Sequence, residues 1–229
     1  MSVWQILIAA VVAAILSVVM GYLAEHLTAY IARRRSYEPR PAVLSDKTNL
    51  FDLIAFWLCI YAGALGACLY VPAPLPLIYV LTTEFLLVSI SLMDVKYRII
   101  PNELVVDLLI LSFLMLLIDS ISTAGIDWKH IGSAFLGFFA AFIVFELPKL
   151  LKKNPGGGDV KLGMVMGFAL GTINLMYAII LMGFGCVAFL MLRARFRVST
   201  IFGRMIPMGP AMSIGYLAVL ILSYTSLFE

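Results

Sequence analysis

Residues 4–32 read WQILIAAVVAAILSVVMGYLAEHLTAYIA and run straight into Arg33, Arg34 and Arg35. Glu25 is the one carboxylate in that stretch, and no lysine or arginine interrupts it. A helix needs about 20 apolar residues to cross the hydrocarbon core of a bilayer, so this segment predicts a spanning helix that ends in a basic turn. No small-residue cleavage site follows it. It is therefore expected to be retained as a span rather than removed as a signal peptide.

Working outward, apolar runs of similar length recur at about 51–71, 77–93, 103–119, 130–148 and 210–227. The chain is 63% hydrophobic and 13% charged, too little polar surface for a soluble domain of 229 residues. The stretch 160–192 is too long for one ordinary span. Gly171-Thr172-Ile173-Asn174 offers a break, giving spans at 160–171 and 174–192, with one strongly tilted helix as the alternative. The expected fold is all-α: a polytopic transmembrane helical bundle of about eight spans, one of them short or tilted. Residues 1–50 supply the first transmembrane helix and a short basic loop, and 51–229 the membrane-embedded core.

The basic residues are grouped. They fall at Arg33, Arg34, Arg35, Arg40 and Lys47, at Lys96 and Arg98, at Lys149, Lys152, Lys153 and Lys161, and at Arg193, Arg195, Arg197 and Arg204, leaving Lys129 elsewhere. Basic loops stay cytoplasmic, so 33–50, 94–101, 149–158 and 193–206 are expected on that side, with both termini outside. Each cluster is short and separated from the next by a span, which argues against a nucleic-acid surface. Cys59, Cys68 and Cys186 form no CxxC pair and lie in apolar segments, which argues against a disulfide framework and a zinc site.

Asp94 and Asp159 stand out among the acids. Each sits where an apolar span meets the basic side, with Lys96 and Lys161 two residues on. An ionisable group at membrane depth is costly and usually serves a task. Two carboxylates sharing a proton suit hydrolysis: the ionised member draws a proton from water, and the protonated one donates to the scissile carbonyl oxygen. Gly156, Gly157 and Gly158 before Asp159 allow close backbone approach. This is no phosphate loop, because the Lys-Ser/Thr of a Walker sequence is missing. On composition and spacing alone, the bland alternative that both acids merely end helices at the interface stays open.

The wording of three segments goes further. Ser91-Leu92-Met93-Asp94 followed by Ile99-Ile100-Pro101-Asn102-Glu103-Leu104 resembles the first aspartate motif of the type IV prepilin peptidases. Gly156-Gly157-Gly158-Asp159-Val160-Lys161-Leu162 resembles their second, the G-x-G-D signature of intramembrane aspartyl proteases. Ile206-Pro207-Met208-Gly209-Pro210 is similar to the element that opens their last span.

The resemblance covers about 50–227. It implies catalytic roles for Asp94 and Asp159, with Gly156, Gly158, Lys161, Pro101, Pro207, Gly209 and Pro210 shaping the site or binding substrate. It implies an endopeptidase of the bacterial inner membrane that removes the short basic leader of type IV pilin or pseudopilin precursors at the cytoplasmic face. Its partners would be those precursors and membrane lipid, with no nucleic acid. Proteolysis would need no cofactor. Bifunctional relatives also methylate the new N-terminus with S-adenosylmethionine and carry two C-x-x-C pairs after the first span. Residues 33–50 contain no cysteine, so this chain is a short form without that zinc site, and S-adenosylmethionine enters only if methyl transfer is retained. Preflagellin-type peptidases share the chemistry and differ in substrate. A transporter using the two aspartates as a relay would show internal repeats with matching broken helices, and none is evident.

Glu84 and Glu146 are further intramembrane acids, read as interhelical hydrogen-bonding groups or contacts to a ligand. Glu25 and His26 are read as interfacial. Gly163 and Gly167 form a G-x-x-x-G pair expected to let two helices approach closely.

Overall fold

Proline cannot donate to a helical ladder, and the sequence Val71-Pro72-Ala73-Pro74 separates the first two helices of the core accordingly. Helix α2 (Leu50–Tyr70) stops before it, and α3 (Pro74–Tyr97) opens with proline in its first turn, where the missing N–H would have had no partner. At its other end α3 stops at Arg98, whose left-handed backbone (φ 56°, ψ 40°) lets its N–H bond the Asp94 carbonyl at 2.9 Å. The computed structural model describes residues 3–37, 50–122, 127–150, 156–193 and 208–225. Besides α2 and α3 these contain α1 (Val3–Arg34), α4 (Asn102–Ser122), α5 (Trp128–Leu150), α6 (Gly157–Arg193) and α7 (Gly209–Leu222), and every regular element among them is helical.

The expectation of about eight spans is corrected. Of the seven helices, five are long and apolar enough to cross a membrane: α1, α3, α4, α5 and α6. The length criterion decides the difference. Among the described residues α7 (Gly209–Leu222) is too short for a full crossing, α2 is described as an apolar helix only over Phe56–Tyr70, and 160–192 lies in one helical element. Gly171 interrupts that element with φ 73° and ψ 178°, a conformation that side chains disfavour. Ser133 of α5 clamps the bend, its hydroxyl accepting the Thr172 N–H at 3.2 Å and its carbonyl accepting the Thr172 hydroxyl at 3.3 Å. Pro148, expected to end the fifth span, lies inside the last turn of α5.

Small residues set the spacing of the helices. Helix α5 packs most extensively on the limb of α6 before Gly171: a Cβ on Gly167 would meet the Gly137 carbonyl, and one on Gly163 would meet the Phe145 ring. The G-x-x-x-G pair thus works as a close-approach device. Beyond Gly171, α6 turns to α7, where a Cβ on Gly215 would lie 2.6 Å from the Ala178 carbonyl oxygen. Helix α1 turns Ala13, Ser17, Met20, Ala24 and Thr28 inward and leaves Val11, Ile15, Val18 and Tyr22 exposed, an apolar outer face suited to lipid. The centre of the bundle is α3 and α7, with Leu87, Ile90, Met93, Met212 and Tyr216 fully buried.

Candidate active site

Asp94 is in the last turn of α3 and Asp159 in the first turn of α6, so two residues far apart in sequence come to the same end of the bundle. Asp94 is buried, and the two are near enough for the charge of Asp94 to act on Asp159. The third element of the site is the start of α7: the Gly209 N–H donates to Asp94 Oδ2 at 2.7 Å. One turn deeper, the Ser91 hydroxyl lies 2.9 Å from the Ser213 hydroxyl and 2.8 Å from the Leu87 carbonyl oxygen, with one proton to give to either, and the Ser213 hydroxyl donates to the same carbonyl at 3.3 Å. This double contact fixes the height of α7 against α3 and with it the Gly209–Asp94 bond.

The model of the type IV leader peptidase family matches residues 80–191, which contain both aspartates. That core belongs to the type IV leader peptidase family. No curated protein and no solved structure matches the chain. The matched leader-peptidase core runs from α3 into α6 and stops short of α7, so the Gly209 contact comes from outside it. The architecture is thus that of a polytopic, all-α membrane protease of this family.

The glycines of the leader-peptidase motif divide by what surrounds them. A Cβ on Gly156 would lie 2.6 Å from Asp159 Oδ2, and one on Gly158 would lie 2.7 Å from Ile100 Cβ. A Cβ on Gly209 would lie 2.9 Å from the Asp94 Cβ and Oδ2. Gly157 has nothing within 4 Å of the same point. Gly158 is therefore a steric necessity, a side chain at Gly156 would displace the Asp159 carboxylate, and the middle glycine is free. Gly157→Ala is expected to keep wild-type cleavage, whereas Gly158→Ala lowers it at least tenfold by pushing α6 off Ile100. The nearest atom is the Ile100 Cβ, which only glycine removes, so adding Ile100→Gly to Gly158→Ala recovers most of the loss. Cleavage rates of the three variants check this, and equal activity of the two glycine variants would contradict it.

Other expected site residues have structural partners. Lys161 is exposed and donates to Asn102 Oδ1 at 2.9 Å, tying the first turn of α6 to that of α4. Pro101 is buried directly before α4 and its carbonyl accepts the Val105 N–H at 3.3 Å. Pro210 is in the first turn of α7. Pro207 lies outside the described residues, as do Glu38, Arg40, Asp46, Lys47, Lys152, Lys153, Arg195, Arg197 and Arg204. Glu25 faces Lys96 at 3.7 Å, His26 packs edge-on to the Tyr22 ring, and Arg35 pairs with Glu103. Glu84 is fully buried against Gly63 of α2, about 15 Å along α3 from Asp94 at helical rise, so it is outside the dyad. Glu146 is partly buried on α5.

Sequence reasoning did not assign roles to Ser91, Ser213 or Arg98. The signal for the first two was spacing. Ser91 is one turn before Asp94 and Ser213 one turn after Gly209, so each shares a face with the residue it supports. Arg98 carries no comparable signal, since nothing local requires a left-handed arginine.

Proposed function

We propose that this chain is a membrane aspartyl endopeptidase that cleaves the short basic leader from type IV prepilin-like precursors at the cytoplasmic face, with Asp94 and Asp159 activating water. The observation that carries the reading is that Asp94, at the end of α3 and bonded to the start of α7, lies near enough to Asp159, at the start of α6, for its charge to act there. Near that end Arg33–Arg35, Lys96, Arg98 and Lys161 supply the positive charge that keeps a membrane segment's end cytoplasmic. A pilin leader stays on the same side, and its scissile bond lies where the hydrophobic helix of the precursor begins.

Purified full-length protein in detergent, incubated with a panel of candidate precursors and read by mass spectrometry, tests this directly. The expected product is a precursor shortened at the junction between basic leader and hydrophobic helix; no cleavage of any leader-bearing precursor would defeat the reading. With S-adenosylmethionine added, the same spectra report methylation of the new N-terminus. Glu38 and Asp46, acids of the 33–50 segment that could face its sulfonium, lie outside the described residues.

Sidedness has its own test. A cysteine placed at 96, in an otherwise cysteine-free chain, is expected to resist impermeant maleimide in intact cells and to react after permeabilisation. Strong labelling in intact cells would put the dyad on the wrong side for its substrate.

A further inference from the structure

The two carboxylates of the dyad have different surroundings. Asp94 Oδ2 accepts the Gly209 N–H at 2.7 Å inside the bundle. That N–H belongs to the first residue of α7, where no carbonyl of the same helix competes for it. The charge of Arg98, just past the end of α3, also bears on Asp94. Asp159 lies over Gly156 in the first turn of α6, and the neighbouring charge that acts on it is that of Asp94. Among the other described charged groups at this end, Lys96 faces Glu25, Lys161 bonds Asn102, and Arg35 pairs with Glu103, while Arg33 and Arg34 close α1.

Burial, deeper for Asp94 than for Asp159, disfavours charge at 94, and helix dipoles pull the same way. The first turn of α6 favours an anion at 159, and the last turn of α3 disfavours one at 94. That effect amounts to a factor of about two to five in the protonation equilibrium, whereas a hydrogen bond to a charged group is worth about tenfold to a hundredfold. The direct N–H bond wins. A carboxylate held ionised at 94 then keeps the shared proton on its neighbour.

On the footing of the aspartyl-peptidase reading, we infer that Asp94 is the resting carboxylate that takes a proton from water, that Asp159 carries the proton given to the scissile carbonyl oxygen, and that the Gly209 N–H is the positioning group that sets this order. In the first step the water oxygen bonds to the carbonyl carbon as one water proton passes to Asp94. Asp159 meanwhile protonates the carbonyl oxygen. This leaves a gem-diol, a neutral Asp94 and an ionised Asp159. In the second step Asp94 gives its proton to the amide nitrogen and the C–N bond breaks. One gem-diol hydroxyl returns a proton to Asp159. One water is consumed, an acid and an amine are formed, and both aspartates are restored.

The test uses full-length protein made by cell-free translation into nanodiscs with glycolic acid at position 209, which replaces the N–H by an ester oxygen. The acid limb of the pH–rate profile for precursor cleavage is expected to move up by about one pH unit. Ser213→Ala keeps the N–H but loosens the helix that positions it; it is expected to lower kcat and to move the acid limb in the same direction by less than the ester does. An ester protein whose acid limb coincides with that of wild type overturns the inference. A second comparison does not depend on the ester. Asp159→Asn retains an N–H that can polarise the carbonyl oxygen, so its residual cleavage should exceed that of Asp94→Asn at least tenfold. Equality or the reverse order overturns the assignment of roles while leaving the dyad intact. Wild-type rates in both asparagine variants would refute the peptidase reading itself.

Discussion

Asp94→Asn and Asp159→Asn are each expected to lower precursor cleavage by roughly 10²- to 10⁴-fold, the range that general acid–base groups supply. The asparagine side chain keeps the shape and the Gly209 contact at position 94, so the protein should still insert and accumulate. What it loses is the ability to exchange a proton. Because one carboxylate is of little use without the other, the double variant is expected to be scarcely worse than the worse single, a gross failure of additivity. A chelator added to wild type should leave the rate unchanged, since the two carboxylates supply the proton transfers themselves. Single-turnover cleavage measured by mass spectrometry checks all of this. Near-wild-type activity in either single variant would remove that carboxylate from the mechanism.

Gly167→Leu is expected to be the most damaging substitution away from the dyad. The new side chain would start against the Gly137 carbonyl, a backbone atom that cannot rotate aside. Helices α5 and α6 would have to separate, with a loss of about 3 kcal/mol, the upper end of the usual cost of overpacking. Asp159 opens the same limb of α6, so cleavage should fall along with stability. Gly183→Leu is the control, because a Cβ there meets nothing within 4 Å. Resistance to unfolding in a denaturing-detergent titration should drop for Gly167→Leu and stay put for Gly183→Leu.

Much of this architecture was legible in the sequence because membranes impose simple rules. Apolar length located the helices, and paired prolines located the turn from α2 to α3. The G-x-x-x-G spacing of Gly163 and Gly167 located a close helix contact. The number of crossings was not legible. It hung on how 160–192 is divided and on whether α2 and α7 are long enough, and composition does not resolve either. The dyad was readable only through the wording of three motifs, since an acid at the end of a span looks the same whether or not a partner faces it. The Gly209–Asp94 hydrogen bond was beyond reach. A backbone N–H leaves no mark in sequence, and α7 is brought to α3 by Ser91 and Ser213, whose small hydroxyls look like ordinary filler in an apolar helix.

The start of α7 has a consequence for biosynthesis. The matched core ends before it, yet Asp94 takes its one described backbone donor from Gly209. During translation α3 and α6 enter the membrane first, and until α7 follows, the carboxylates lack the contact that orders them. A nascent protein halted before α7 would therefore hold both aspartates without the contact that, on the proposed reading, sets the order of their protons. That order would arrive late, when the last described helix docks.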